Sequence, residues 1–306
     1  MATKNSLQIH QMTVGQFEKM FPTEDHCKAY LAANRWSDDI VRCPRCGNHE
    51  VTELANKPYH WQCYACAPAS SYRFSVLVGT IFENTNKPLR EWFRVIHLML
   101  TSKKGISALQ IQRMMGWGAY KTAWYMCHRI RAGLANEDFR KLMGIVEVDE
   151  TFVGGLAKNR HKDKRGGGGG TGGIGSGKIP VVGAVQRKGK VVARVINSVD
   201  AQTLTAFVRG AVSEKVSLLC TDAWRGYRPL DKEFPHGVVD HGKGQYVIGA
   251  IHTNTIEGFW SIFKRGVVGT FHKVSAKYMP LYVAEFQFRY NNRENEDIFG
   301  EAIRGC

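Results

Sequence analysis

The sequence lacks any apolar run of the roughly 18–20 residues that are needed to cross a lipid bilayer. Its opening segment, MATKNSLQIHQM, also lacks the apolar core of a signal peptide. Acidic residues are few: Asp and Glu number 27 against 42 Lys and Arg, so the formal net charge is +15. We therefore expect a cytoplasmic protein with no membrane partner. The positive charge makes nucleic acid the first partner to consider, although a basic composition alone does not establish binding.

The length of 306 residues and the 43% hydrophobic content suit two or three globular domains, each with its own core. Changes in the pattern of apolar and polar residues along the chain predict three regions. Residues 1–86 form an N-terminal region with a ribbon at about 40–75, residues 87–140 a helical segment, and residues 141–300 an α/β domain.

Eight cysteines would suggest disulfides in a secreted chain, but in a reducing compartment paired cysteines indicate metal ligation. Two Cys-x-x-Cys knuckles, at Cys43/Cys46 and Cys63/Cys66, have the separation of a four-thiolate zinc site. Strands are expected between them at 51–54 and 59–62. Because so small a ribbon has little apolar core, its Zn²⁺ would be structural; a redox dithiol is the alternative. The remaining cysteines are expected to be ordinary thiols: Cys27, Cys127, Cys220 and Cys306.

Residues 88–132 change to a helical pattern. Apolar spacing predicts a helix from Pro88 to Leu100, a second over 105–116 that ends at glycine, and a third from Lys121 to Leu134. A short glycine turn followed by a basic helix is typical of a helix-turn-helix, whose second helix enters the major groove of DNA. The candidate DNA contacts on it are Lys121, Arg129 and Arg131. A three-helix packing unit without DNA contact fits the same periodicity.

Beyond residue 140 the pattern becomes strand-like. A strand at 144–153 alternates so that Glu147 and Asp149 share one face, and it ends at paired glycines. Further strands are expected at 179–187, 190–198 and 216–222, with a helix capped by Asp200 running to about 213. This order is that of a ribonuclease H-like mixed sheet with flanking helices, in which Asp149 and Asp222 meet on adjacent strands. Carboxylates placed in apolar strands favour a divalent cation such as Mg²⁺.

A third carboxylate comes from the helix that follows His252. Glu257 and Lys264 share a face two turns apart, beside an apolar stripe. The stripe consists of Ile256, Trp260, Phe263 and Val267. Glu257 could reach a metal held by the strand carboxylates, and Lys264 and Arg265 could meet a phosphate. The alternative is that Glu257 and Lys264 are an ordinary solvated helix face.

At these residues the chain resembles a family of prokaryotic transposases that carry an N-terminal zinc ribbon and an Asp-Asp-Glu domain, insertion-sequence family fifteen-ninety-five. The resemblance extends from about residue 20 to 295. The matching segments are Cys43–Gly47, Gly105–Gln110, Val148–Gly155, Pro180–Val185, Thr221–Tyr227, His252–Asn254, Ile256–Glu257, Phe259–Trp260, Lys264–Gly266 and Glu285–Arg293.

The resemblance implies a catalytic triad of Asp149, Asp222 and Glu257 that binds Mg²⁺ or Mn²⁺, with Lys264 as the accompanying basic residue. It implies double-stranded DNA as the partner, both element ends and target, and a homo-oligomer that holds two ends together. Some relatives have Asn at the third position, so Asn254 competes with Glu257. We favour Glu257 because it is anionic and stands seven residues before Lys264.

The sequence also contains a glycine-rich stretch at 165–178 with a partial P-loop pattern, Gly172-x-x-x-x-Gly177-Lys178. Ile179 replaces the Ser or Thr that a nucleotide-binding loop needs, and a strand is expected where a helix should follow. A surface loop is the preferred interpretation. The expected function is thus metal-dependent DNA cleavage and strand transfer at terminal inverted repeats. The alternatives are a DNA-binding regulator or a domesticated transposase without activity, and, less favoured, a nuclease resembling junction resolvases.

Overall fold

The computed structural model describes residues 12–66, 71–135, 140–154, 178–239, 247, 249 and 251–306, which form two compact units. The first unit takes the described residues of Met1–Lys103, Ala108–Asn136 and Arg293–Cys306. The second takes those of Lys104–Ser107 and Glu137–Asn292. Within the described ranges, no helix combines the length and the apolar character that a membrane span requires.

The first unit contains a three-stranded antiparallel ribbon in the order β1-β2-β3. Its strands are β1 (Thr52–Glu53), β2 (His60–Cys63) and β3 (Tyr72–Ser75). The first two confirm the strands expected between the cysteine pairs, whereas β3 was not predicted. The indole of Trp61 packs against Trp36 on one side and Phe74 on the other, with ring centroids 5.0 and 5.8 Å apart. These aromatic contacts give the ribbon a small apolar centre.

Six helices accompany the ribbon in the described residues of the first unit, and aromatic side chains join four of them. They are α1 (Val14–Met20), α2 (Glu24–Arg35), α3 (Leu89–Thr101), α4 (Ala108–Met115), α5 (Tyr120–Gly133) and α9 (Ile298–Arg304). Phe299 of α9 contacts Phe17, Phe21, Tyr30 and Phe93, with ring centroids 5.5 to 6.4 Å apart. The core of this unit therefore joins helices from both ends of the chain.

The three helices predicted for residues 88–134 are present as α3, α4 and α5. Helix α3 begins directly after Pro88, where a proline costs no hydrogen bond. Gly116 ends α4 with a φ of +67°, a conformation that favours glycine. Helix α4 packs against α5 across the short turn that follows. Whether this segment acts as a helix-turn-helix stays a prediction at this point.

The second unit is built on a five-stranded mixed sheet in the order β6-β5-β4-β7-β8. Its strands are β4 (Ile145–Val153), β5 (Ile179–Gln186), β6 (Val191–Val195), β7 (Leu218–Asp222) and β8 (His236–Val239). Strand β5 runs antiparallel to β4 and β6, whereas β4, β7 and β8 are parallel to one another. Four strands confirm the sequence prediction, and the short edge strand β8 is additional.

Helices cover both faces of this sheet. On one face lies α6 (Ala201–Ala211), whose N-terminus is capped by Asp200 as predicted, with Thr203 N 2.8 Å from Asp200 Oδ1. It packs on a core that includes Val146 and Val148 of β4. On the other face lie α7 (Asn254–Gly266) and α8 (Met279–Asn291). A 3₁₀ helix (Arg225–Lys232) follows β7, and a π-helical turn (Val267–Phe271) follows α7.

The second unit ends at Asn292, whereas the predicted α/β domain ends at residue 300. The physical reason is Phe299, which packs among the aromatic rings of the first unit and takes α9 with it. The ribbon and the helices α3 to α5 also fall within one compact unit rather than two. The division of the chain into a ribbon region, a DNA-reading segment and a catalytic domain stays a proposal about roles.

Candidate functional site

The four predicted zinc ligands meet in the first unit. The Sγ atoms of Cys43, Cys46, Cys63 and Cys66 all lie within 4.8 Å of one another. The Cys43–Cys66 and Cys46–Cys63 pairs are 3.8 and 3.7 Å apart. Zn–S bonds of about 2.3 Å in a tetrahedral site place sulfur atoms about 3.8 Å from each other. The four thiols therefore fit a structural Zn²⁺ with no position left open for chemistry.

Local backbone geometry builds the cysteine cluster. The amide of Gly47 donates to the carbonyl of Cys43 at 2.8 Å, and a φ of +74° at Gly47 turns the chain away after the first pair. Cys63 is the last residue of β2. A hydrogen bond from the amide of Cys66, together with the neighbouring thiols, lowers the pKa of Cys63 to about 7. At neutral pH this thiol readily loses its proton to solvent and becomes the thiolate that a metal binds.

In the second unit, the strand register brings Asp149 level with Asp222. Strands β4 and β7 are parallel, with Val146 opposite Leu219 and Glu147 opposite Cys220. Continuing this register by two residues places Asp149 opposite Asp222, at the carboxyl end of β7. Residues at one level of a parallel pair project to the same face, so the two carboxyl groups share one face of the sheet. Both side chains are partly buried.

Helix α7 packs on this face against β5, the strand beside Asp149. On β5, Asp149 is opposite Gly183. A Cβ atom at Gly183 would lie only 2.7 Å from the Trp260 ring and 3.2 Å from Ile256 Cδ1. The missing side chain thus allows α7 to pack close to the strand. Glu257 follows Ile256 in this helix and accepts a 2.8 Å hydrogen bond from the hydroxyl of Thr253.

The predicted two-sided character of α7 is confirmed. The stripe of Ile256, Trp260, Phe263 and Val267 is buried, whereas Glu257, Ser261 and Lys264 are exposed. Asn254, the competing third ligand, is the first residue of α7 and is also exposed. The helix therefore presents both candidates to solvent one turn apart.

The acidic groups act on one another electrostatically. Burial, and then the negative charges of Glu150, Asp222 and Glu257, raise the pKa of Asp149 to about 7. Burial also raises the pKa of Glu150, which accepts a 2.7 Å hydrogen bond from the hydroxyl of Tyr227. A carboxylate set of this kind repels itself unless protons or cations are bound. Its oxygen donors are those that Mg²⁺ and Mn²⁺ prefer.

Sequence reasoning did not assign a role to Glu147, which is fully buried on the same face of β4 as Asp149. Its carboxylate accepts hydrogen bonds from Arg187 and from the first turn of α7. The alternation of side chains along β4 predicted that Glu147 and Asp149 share one face. The partners on α7 could not be inferred from spacing, because they come from more than a hundred residues further along the chain.

The predicted DNA-contacting residues differ in accessibility. Lys264 and Arg265 are exposed, and together with Lys104 they line an open depression of about 590 Å³. In the first unit Lys121 is exposed on α5. Arg129 is partly buried, since its guanidinium lies over the Trp92 ring and donates to the carbonyl of Glu83.

Arg131 is only 2% exposed, so it cannot reach a phosphate in this conformation. It is buried in α5, as are the neighbouring residues His128 and Ile130, which the basic composition of the helix did not indicate. We therefore remove Arg131 from the proposed DNA interface. Most of the glycine-rich stretch, 165–177, lies outside the described residues, as do the basic residues Lys158, Arg160, Lys162, Lys164 and Arg165.

Comparison with known proteins finds two matching domains along the chain. Residues 141–291 match the ISXO2-like transposase domain, and residues 22–68 match the transposase zinc-ribbon domain. A protein of Halobacterium salinarum, named "Uncharacterized protein in transposable element ISH50", is 30% identical over 279 residues. That alignment covers 89% of this chain and 92% of the relative.

A zinc ribbon followed by such a domain defines a class of insertion-sequence transposases. The chain belongs to this ISXO2-like transposase family, insertion-sequence family fifteen-ninety-five.

Proposed function

We propose that this transposase cleaves DNA at the terminal inverted repeats of an insertion sequence and joins the released 3′ ends to target DNA. Asp149, Asp222 and Glu257 are the proposed metal ligands. The observation that supports the proposal is the strand register that places Asp149 beside Asp222 on the face of the sheet covered by α7, with the charges of Asp222 and Glu257 raising the pKa of the partly buried Asp149 carboxyl. A binding module would have no use for this costly arrangement.

Bound in pairs, Mg²⁺ or Mn²⁺ would supply activation of the attacking water or 3′-hydroxyl and stabilisation of the leaving oxygen. Asp149 and Asp222 would hold their carboxylates side by side from neighbouring strands. Glu257 comes from the exposed face of α7, and its hydrogen bond from Thr253 orients it. No covalent attachment of DNA to the protein is required by this set of side chains.

The sheet supports a ribonuclease H-like assignment for the second unit. Three strands β4, β5 and β6 form consecutive antiparallel neighbours, and β7 and β8 then extend the sheet in parallel on the other side of β4. In such a sheet the central strand and its parallel neighbour carry the first two acids, which corresponds to Asp149 on β4 and Asp222 on β7. This is the basis of our catalytic assignment for the unit.

DNA binding is assigned to three parts of the chain: helix α7, the α4–α5 segment and the zinc ribbon. Lys264 and Arg265 lie about two turns beyond Glu257 on α7 and would hold phosphates of the bound DNA. Lys121, at the start of α5, supports a helix-turn-helix role for α4 and α5, to which Arg129 contributes from the edge. The zinc ribbon would add contacts to the element end. Joining requires two ends in one assembly, so we propose a homo-oligomer that acts in the cytoplasm.

A strand-transfer assay on paired oligonucleotides carrying the element ends tests the proposal. Asp149→Asn and Asp222→Asn should abolish both cleavage and joining while leaving DNA binding intact. The matched control is Glu214→Gln, which makes the same change of charge in the exposed turn before β7, at the opposite end of that strand from Asp222. Unchanged joining in either aspartate variant would remove the proposed site.

The same assay separates the competing assignments. Loss of joining in Glu257→Gln but not in Asn254→Ala supports Glu257 as the third ligand, and the reverse result selects Asn254. A DNA-binding regulator or a silent domesticated copy would bind the element ends without cleaving them in the wild-type protein, with Mg²⁺ or with Mn²⁺.

A further inference from the structure

Glu147 is a completely buried carboxylate whose partners lie at the start of α7. It accepts hydrogen bonds from Thr255 N at 2.7 Å, Thr255 Oγ1 at 2.9 Å and Ile256 N at 3.1 Å. Its exposed fraction is 0%. The first-turn amides of a helix have no partner within the helix, and the helix dipole favours a negative charge beside them. The side chain thus acts as a cap for α7, although it belongs to a distant strand.

Arg187, the residue that follows β5, completes this arrangement. Its Nε donates to Glu147 Oε1 at 2.6 Å, and its Nη2 donates to the carbonyl of His252 at 3.0 Å. His252 Nδ1 lies 3.2 Å from Glu147 Oε1, within ion-pair distance. The backbone amide of Arg187 donates to the carbonyl of Ile145 on β4. The Arg187–Glu147 ion pair therefore binds the backbone before the start of α7, at His252, and within its first turn, at Thr255 and Ile256.

Glu147 lies next to two of the proposed metal ligands, Asp149 on β4 and Glu257 on α7. Along β4, Glu147 and Asp149 stand two residues apart and project from one face of the sheet. Along α7, Glu257 is the next residue after Ile256, whose amide Glu147 binds. One carboxylate thus ties the strand of the first proposed ligand to the helical turn of the third.

We propose that Glu147 is a positioning residue, which sets the place of Glu257 relative to Asp149 and so the affinity of the site for divalent cations. This inference rests on the proposed function. A carboxylate is needed because, besides the His252 ring, four donors face it: two amides, a hydroxyl and a guanidinium. An amide side chain of the same shape has one oxygen and one NH₂ group. The NH₂ group would face other donors, so those hydrogen bonds would be lost. The turn of α7 that carries Glu257 would then shift or fray.

The test compares Glu147→Gln with a control that weakens the second unit elsewhere. Asn291→Ala is suitable, because Asn291 of α8 exchanges two hydrogen bonds with the backbone of Val191, at the edge of the sheet. Mn²⁺ binding to each full-length variant is measured by calorimetry without DNA, beside thermal unfolding and amide hydrogen exchange. Glu147→Gln should raise the Kd for Mn²⁺ about tenfold or more, as loss of an outer-sphere partner commonly does. Asn291→Ala should lower Tm without changing that Kd.

A second pair of variants keeps the inference testable if Glu147→Gln does not fold. Thr255→Val removes only the hydroxyl bond to Glu147 and should raise the Kd several-fold, and Thr255→Ser should restore it. Hydrogen exchange should accelerate at Thr255 and Ile256 in Glu147→Gln and stay unchanged there in Asn291→Ala.

Two outcomes overturn the inference. One is an unchanged Mn²⁺ affinity in the folded Glu147→Gln and Thr255→Val variants, and the other is a Kd that follows Tm equally in all variants, the Asn291→Ala control included. If the wild-type protein neither binds Mn²⁺ nor joins DNA, the proposed function fails instead, and with it the inference. The role of Glu147 as a cap of α7 would still be measured by hydrogen exchange.

Discussion

The two candidate metal sites gather ligands that repel one another, but they do so over very different lengths of chain. The cysteine site takes all its ligands from Cys43 to Cys66, through two tight knuckles of one ribbon. The acidic site takes Asp149 and Asp222 from neighbouring strands and Glu257 from a helix that packs across the sheet. The first depends on local backbone geometry, and the second depends on the register and packing of a whole unit.

This difference predicts how each site responds to damage. Ligand loss at the ribbon should affect the ribbon and little else, because a structural Zn²⁺ supplies folding free energy to a small region. The acidic site should be sensitive to changes that touch none of its ligands, since its geometry is set by β4, β5 and α7 together. Four measurements test the contrast.

The largest effect is expected from zinc removal. Chelation, or Cys63→Ala, should unfold the ribbon, because zinc binding contributes about 10–16 kcal/mol to the folding of comparable small modules. The fluorescence of Trp61, packed between Trp36 and Phe74, reports the change. Cys27→Ala, a buried cysteine that is not a ligand, is the control. Concerted loss of the second unit on chelation would contradict the claim that the ribbon site is local.

The next effect is a dependence of stability on pH in the second unit. The pKa of Asp149 is raised to about 7, so the folded protein keeps a proton that the unfolded chain has already released. The free energy of unfolding of the zinc-loaded protein without Mg²⁺ or Mn²⁺ should therefore fall as the pH rises from about 4 to 7, by up to about 1.4 kcal/mol per pH unit. It should level off above pH 7. Denaturant unfolding from pH 5 to 8 measures the slope.

Asp149→Asn is the matched variant. Its side chain cannot ionise, so the contribution of Asp149 to the change of unfolding free energy with pH should disappear. Saturating Mg²⁺ should have the same consequence in the wild-type protein, since the cation takes the place of the proton. Identical slopes in the wild type and in Asp149→Asn would show that burial and neighbouring charges do not act on this carboxyl as described.

A smaller effect is expected from a methyl group at Gly183, opposite Asp149. In Gly183→Ala the new Cβ would lie 2.7 Å from the Trp260 ring, so α7 must move away from the sheet. Overpacking of this kind typically costs about 1–3 kcal/mol. Calorimetry should show weaker Mn²⁺ binding although every ligand is intact. Gly210→Ala, where a Cβ has no neighbour within 4 Å, is the control. Normal Mn²⁺ affinity in Gly183→Ala would argue against control by α7 packing.

The smallest effect is expected at an exposed ion pair of the second unit. Arg209 and Glu233 lie 2.6 Å apart on the surface, on α6 and after the 3₁₀ helix. Exposed pairs are screened by water and contribute little, so Arg209→Ala should change Tm by less than about 2 °C. Scanning calorimetry at two salt concentrations checks this. A large loss of Tm would mean that surface charge, rather than packing, stabilises this unit.

Patterns that repeat over short distances allowed much of the fold to be predicted from sequence. The two cysteine knuckles, the cap at Asp200 and the buried stripe of α7 are all set within a few residues, and each is confirmed. Strand β8 and helix α9 were not predicted, because each is short and depends on partners far along the chain.

The acidic site shows the same limit of prediction from sequence. Alternation along β4 placed Glu147 and Asp149 on one face, but only the packing of α7 reveals that Glu147 binds its first turn. Basic residues on α5 suggested a DNA-reading face, yet helical spacing did not distinguish the exposed Lys121 from the buried Arg131. Which residues a face contacts is decided by tertiary structure. The assignment of Asp149, Asp222 and Glu257 as catalytic stays a prediction until the variants are assayed.

The position of α9 has a consequence for synthesis of the protein. Phe299 fills the aromatic cluster of a unit that otherwise comes from the first half of the chain. On the ribosome, the helices of that unit emerge long before the residue that completes their core. The contacts of Phe17, Phe21 and Phe93 with Phe299 can therefore form only after the entire α/β unit has been translated.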